Sequence, residues 1–147
     1  MTYRRLPLLV AVVAVLLAGM PSTAHADDLA RRNKMLHLLN HTRSSHGLPV
    51  FRLNVTVSHR AWLHSKAMAS QNYLFHTGDL YDAVRAYRPS TWGENVGMAG
   101  LLTRVRTLWM QSAGHRHNIL NGQYRRIGIG VVKARGVVWV TAIFYGG

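Results

Sequence analysis

The spacing of apolar residues changes character several times along the chain. Leu6 to Met20 is a run of 15 residues, nearly all apolar and containing Pro7, set between the basic start MTYRR and the small-residue stretch PSTAHA. This is the layout of an export leader, and Ala24-His25-Ala26 predicts cleavage after Ala26 with residues 27–147 left as one domain. The run is shorter than the roughly 20 residues a spanning helix needs. Export is therefore expected rather than a transmembrane anchor.

Helical periodicity follows. Leu29, Met35, Leu36, Leu38 and Leu39 predict an amphipathic helix from Leu29 to about Ser44, which Gly47 and Pro49 stop from extending. Asn54 has the chemistry of an N-cap, and Val57, Ala61, His64 and Met68 then recur at helical spacing to about Gln71. Tyr73 to Trp92 carries Gly78, Pro89 and Ser90 and reads as loop with one helical turn around Tyr81 to Ala86. From Ala99, the spacing of Leu102, Val105 and Trp109 predicts a third helix, with Ser112 continuing its buried stripe. Finally RRIGIGVVKA and VVWVTAIFYG, joined at Ala134-Arg135-Gly136, read as a β-hairpin. Helices followed by a hairpin, without repeats, give an α+β class.

Composition narrows the picture. The chain has no cysteine, so neither disulfides nor thiolate metal sites are available and an exported fold must rest on its apolar core. Trp62, Trp109 and Trp139 read as core, and Trp92 as a wall or packing residue beside Glu94. Eighteen Lys and Arg against five Asp and Glu make the formal net charge +13. Loss of Arg4 and Arg5 with the leader would leave it near +11 (16 basic minus five acidic). Such a surface favours anionic partners: a wall polymer, lipid headgroups or another extracellular anionic surface. The basic residues are scattered rather than blocked, which argues against nucleic acid. A monomer is expected.

Candidate chemistry sits where helices are expected to give way to irregular backbone: Phe75-His76, Gly93-Glu94-Asn95-Val96 and Gly114-His115-Arg116-His117-Asn118. Glu94 is the chain's one glutamate and lies in the apolar context Trp92 to Met98. A buried carboxylate needs donors, so Glu94 is either a structural acceptor or the orienter of a histidine. Two residues apart on a helix point about 200° away from each other. His115 and His117, which follow the helix-start pattern Ser112-Ala-Gly, should not chelate one metal; His115 is expected to face in and His117 out. Ser112 reads as an N-cap rather than a nucleophile, and Asn118 as the residue that fastens the motif by side-chain to backbone bonds. His64 reads as a boundary histidine.

In order along the chain, these segments are Phe75-His76, Gly93-Glu94-Asn95-Val96, Trp109-X2-Ser112-X-Gly114-His115-Arg116-X-Asn118-Ile119-Leu120, Gly128-Ile-Gly130 and the closing strand Trp139 to Phe144. The ordered set resembles the bacterial SCP-domain branch of the CAP superfamily, which includes cysteine-rich secretory proteins, venom antigens and plant pathogenesis-related proteins. The resemblance implies an α-β-α sandwich with a small antiparallel sheet, and His76, Glu94 and His115 converging in one surface cleft; Asn95, Ser112 and Asn118 are expected to support these residues. Eukaryotic members keep a glutamate where this chain has Ser112. Some members bind zinc or another divalent metal through the two histidines, others bind lipid or sterol, and no single reaction unifies them.

Three readings follow for a secreted, extracellular domain. One is a ligand-binding cleft, with His76 and His115 as candidate metal ligands. The second is a metal-assisted hydrolase of wall or peptide substrates using the same residues. The third is an adhesive module acting through its basic surface. Two imidazoles are fewer than the three firm protein ligands of most catalytic zinc sites, and the sequence leaves the enzyme question open.

Overall fold

The computed structural model describes residues 23–147. The proposed leader therefore lies mostly outside the described residues, and its last four positions fall within the first helix, α1 (Thr23–Ser45). Next come a two-residue strand β1 (Arg52–Leu53), α2 (Val55–Gln71), α3 (Leu80–Val84) continued by a 3-10 turn (Arg85–Tyr87), β2 (Thr91–Ala99), α4 (Leu102–Gln111), α5 (Ala113–Leu120), β3 (Arg126–Ala134) and β4 (Val137–Gly146). The strands lie in the order β1-β3-β4-β2. β4 pairs antiparallel with both β2 and β3, while the short β1 runs parallel to β3 and makes the sheet mixed.

The sheet separates two helical layers. Ile127, Ile129 and Val131 of β3 and Val138, Val140, Ala142 and Phe144 of β4 pack with Met35, Leu39, Leu102, Val105, Trp109 and Ile119 of α1, α4 and α5. The alternate residues face α2 and α3: Ile143 and Tyr145 meet Val57, Ala61 and Val84, and Trp139 meets Met68 and Val96. β4 is thus buried on both faces, which explains its near-continuous apolar run. Each such aliphatic side chain withdrawn from water contributes roughly 1.5–3 kcal/mol. The fold is the expected α+β, α-β-α sandwich.

Local signals set several boundaries. Asn54 caps α2, its side chain accepting from Val57 N–H at 3.0 Å. Asn72 ends the helix in the left-handed region (φ 54°) and turns the chain toward the site. The hairpin turn puts Arg135 at φ 50° and Gly136 at φ 79°; positive φ at both central residues matches the right-handed twist of the strands it joins. Gly128 and Gly130 face α2 so closely that a methyl on Gly130 would overlap the Ala61–Trp62 peptide. Ser58 and Ser65 of α2 complete the contact, with Ile129 N–H donating to Ser58 Oγ (3.1 Å) and Ser65 Oγ donating to Gly130 C=O (3.1 Å).

Several expectations are corrected. Gly93 to Val96 is not irregular backbone but part of β2, because all nine residues of this strand find register partners on β4. Ser112 does not extend the α4 stripe: it adopts an extended conformation between α4 and α5. It occupies the N-cap position of α5 without a side-chain cap bond, and only its carbonyl takes part, accepting from Arg116 N–H at 2.9 Å. Trp62 is half-buried rather than core, with Nε1 donating to Asp28 Oδ2 at 3.1 Å.

Arg43, which carried no sequence signal, is fully buried. Its guanidinium donates to the carbonyls of Pro49 (2.7 Å), Ile119 (2.8 Å), Asn121 (2.9 Å) and Tyr124 (3.1 Å) and lies 4.0 Å from the centre of the Phe51 ring. It thereby ties α1 to the otherwise open end of α5. Burial, and then the charge of Arg125, lowers its pKa to about 10, so it stays charged.

Candidate functional site

The site straddles β2, an edge strand. Successive residues of a strand face opposite sides: Glu94 points to the α2 side, and Asn95 to the side of α5. From the helical layer with α2, the loop after Asn72 brings His76 and Thr77 to Glu94. From the other layer, α5 carries His115.

Glu94 is buried, with 3 % of its side chain exposed, and it is saturated with donors. His76 Nδ1 lies 2.7 Å from Oε1, Thr77 N–H donates to the same oxygen at 3.0 Å, and Thr77 Oγ1 donates to Oε2 at 2.5 Å. A carboxylate only accepts, so the proton of this pair sits on His76 Nδ1, and Nε2, on the other side of the ring, is not engaged by Glu94. That ring is largely open, at 64 % side-chain exposure. Glu94 thus acts as the orienter of His76, fixing both its direction and its tautomer.

Asn95 and Asn118 align the second half. Asn95 Nδ2 donates to the His115 carbonyl at 3.0 Å, and Asn118 Nδ2 reaches Glu94 C=O (3.2 Å) and Asn95 Oδ1 (2.9 Å). The side chain of Asn118 does fasten α5 to the strand. His115 is half-buried 6.2 Å from the Trp109 ring, and the Trp109 indole donates to Val96 C=O at 3.0 Å. Burial first, and then the nearby His76, lowers the His115 pKa and keeps the ring neutral. Leu74, Val96, Met98, Leu108, Trp109 and Ser112 line a groove of about 230 Å³ with His115. His117 is exposed on the far side of α5, as the helical spacing requires.

Two further residues belong here. Thr77 carries no motif of its own in the sequence; the need of a lone buried carboxylate for more than one donor is the signal that leads to it. His64, on α2, bonds Thr141 Oγ1 through Nδ1 at 3.1 Å, while its Nε2 is buried without a partner. Its pKa is lowered mainly by burial, with Glu94 opposing and His76 adding to the shift.

The metal donors can be tested on this geometry. Among the described residues, no three His, Cys, Asp or Glu side chains come together to hold a metal ion. Both Glu94 oxygens are taken by His76 and Thr77. His76 and His115 supply two imidazoles, fewer than the three ligands of a typical zinc centre. The Ser112 hydroxyl makes no cap bond at the start of α5.

A three-layer sandwich with a Glu-oriented histidine at its edge strand and a second histidine across that strand defines the class of protein. The chain belongs to the CAP, Cysteine-rich secretory protein family, whose pattern it matches over residues 36–144. It is 33 % identical over 125 residues to "Uncharacterized protein YkwD" of Bacillus subtilis (strain 168), a match covering 80 % of this chain and 48 % of that relative. The chain thus spans about half that relative's length. An extracellular protein containing a SCP domain from Bacillus anthracis str. Ames superposes with a TM-score of 0.71 at 28 % identity, covering 87 % of this chain and 44 % of that one. NaASP2, solved with Zn2+, shares the fold at a TM-score of 0.58 and 13 % identity, over 86 % of this chain and 83 % of that one.

Proposed function

We propose that the chain is an extracellular CAP-type domain that binds its ligand in the cleft along β2, between the open Nε2 of His76 and the neutral ring of His115. The observation that carries this reading is the Glu94 arrangement. Three donors hold a buried carboxylate whose effect is to aim one exposed imidazole. Export is supported by the leader-like start and by the extracellular relative from Bacillus anthracis. Among the described residues no helix is long and apolar enough to cross a membrane.

Metal enters this reading as a weakly held companion of the ligand. His76 has the carboxylate-backed geometry common to metal-binding histidines, but the cleft has only two imidazoles to offer, and no hydrolytic step is derived from it. Zinc is therefore a useful probe of whether the two rings act together. Titration of the uniformly 15N-labelled protein with Zn2+ should shift the His76 and His115 ring signals together. Alanine at either position should weaken binding by about tenfold or more, as should Glu94→Gln. Unchanged zinc binding in all three variants removes the metal from this cleft. A screen of acidic oligosaccharides, fatty acids and short peptides tests the cleft itself: the reading fails if their shift changes avoid His76, Thr77, Leu108 and His115 altogether.

A further inference from the structure

Two large aromatic side chains stand open beside the site. Trp92, two residues before Glu94 on the same face of β2, is 41 % exposed, and Tyr81 of α3 is 44 % exposed. Their ring centres lie 4.9 Å apart at a 44° tilt. Single exposed apolar residues need no explanation, but contiguous ones next to a depression do. That depression, about 600 Å³ and wide open, is lined by Tyr81, Arg60, Arg85 and Arg88, with Asp82 as the only carboxylate in its lining. Asp82 is shared between Arg60 Nη1 (2.8 Å) and Arg85 Nε (2.7 Å). Asp79 is turned to the start of α3, accepting from Asp82 N–H at 3.0 Å. Three guanidinium groups against one carboxylate leave the lining positive.

This combination selects a ligand chemistry. Indole and phenol faces pack against the C–H face of a sugar ring, and their polar edges tolerate water. Planar guanidinium groups pair with carboxylate or phosphate oxygens through paired N–H donors. An acyl chain would need a continuous apolar channel, whereas here the aromatics are followed by arginines. The strand sets the direction: Trp92 and Glu94 are about 7 Å apart along β2, so a ligand lying on the aromatics continues to His76.

We propose that Trp92, Tyr81 and the arginines at positions 60, 85 and 88 form a platform for a linear acidic glycan, one whose rings carry carboxylate or phosphate groups, running along β2 toward the His76–Glu94 pair. The second half of that track rests on the ligand-binding reading of the cleft; the platform names the class of its ligand.

The test uses the described domain in its full chain, with polygalacturonate as the acidic glycan, dextran as a neutral one and polyglutamate as an acidic chain without sugars. Calorimetry and tryptophan fluorescence should show saturable binding of polygalacturonate, weakened at least tenfold by Trp92→Ala and by Tyr81→Ala. Trp92→Phe should restore most of it. The double variant Arg85→Ala/Arg88→Ala should weaken polygalacturonate but leave any dextran binding unchanged. Polyglutamate should bind more weakly and be indifferent to Trp92→Ala. These aromatic residues are exposed, and unchanged melting curves confirm that the variants are folded. The platform is overturned if Trp92→Ala and Tyr81→Ala bind polygalacturonate like the wild type, or if polyglutamate binds as tightly as the glycan. The cleft reading fails separately: Trp92→Ala then abolishes binding while the His76 and His115 signals stay unmoved by the glycan, an outcome that keeps the platform and confines the ligand to it.

Discussion

One amide nitrogen of Asn118, on α5, serves both the Glu94 carbonyl at 3.2 Å and the Asn95 side-chain oxygen at 2.9 Å. Together with the Asn95 bond to the His115 carbonyl, this side chain sets the distance between the helix that carries His115 and the strand that carries Glu94. Asn118→Ala strands acceptors on two buried residues, Glu94 and Asn95, each of which costs roughly 1–3 kcal/mol when left unpaired. Chemical denaturation should show a loss of about 2 kcal/mol or more, together with altered ring shifts for His115. An Asn118→Ala protein as stable as the wild type and with unmoved His115 signals would show that this bond positions nothing.

Gly130→Ala tests how α2 is seated. The added methyl meets backbone of Ala61 and Trp62 rather than the end of a flexible side chain, so the helix itself has to move. Overpacking of this kind costs about 1–3 kcal/mol and at times more, and the upper end is expected because Ser58 and Ser65 resist the shift. Thermal melting that matches the wild type would show that the Gly130 contact does not set the position of α2.

Acid should loosen the domain through His64. Its folded pKa is lowered by burial, so between the ordinary histidine value of about 6.5 and the lower folded value, the unfolded chain binds more protons than the folded one. Stability is then complete above the unfolded value and falls as pH drops from there toward the folded pKa; His115, also lowered, acts in the same direction. Unfolding midpoints measured at about pH 7.5 and about pH 5, a window bracketing that value, should differ less in His64→Gln than in the wild type. Equal differences would assign the acid sensitivity elsewhere.

Arg43→Met removes the donor of four carbonyl groups at once. With each unpaired buried acceptor costing about 1–3 kcal/mol, a loss above about 3 kcal/mol is expected, and Arg43→Lys should recover only part of it because an ammonium has three donors on one atom. Full stability in the lysine variant would show that the charge alone matters.

These residues also mark where the sequence was legible. Asn54 capping α2 and the Arg135-Gly136 turn are decided within a few residues, and both were readable. Glu94 stood out because a lone carboxylate in an apolar stretch has to find donors. The strand character of Gly93 to Val96 was hidden, since glycine, glutamate and asparagine have little preference for strands and the pairing with β4 is set by residues about 50 positions away. Ser112 misled for the complementary reason: its local cap chemistry is real, yet its hydroxyl is left out of the helix start. Arg43 resembles any basic residue near a helix end until Ile119 to Tyr124 folds over it.

The position of β2 at the margin of the sheet carries one more consequence. A nine-residue edge is an invitation to another chain's strand, the usual beginning of aggregation. Here the outward carbonyls of Glu94 and Val96 are already occupied by the Asn118 amide and the Trp109 indole. The side chains that frame the cleft therefore also blunt the strand against self-templating, and changes made to open the cleft, Trp109→Ala or Asn118→Ala among them, would also expose a seed for insoluble assembly.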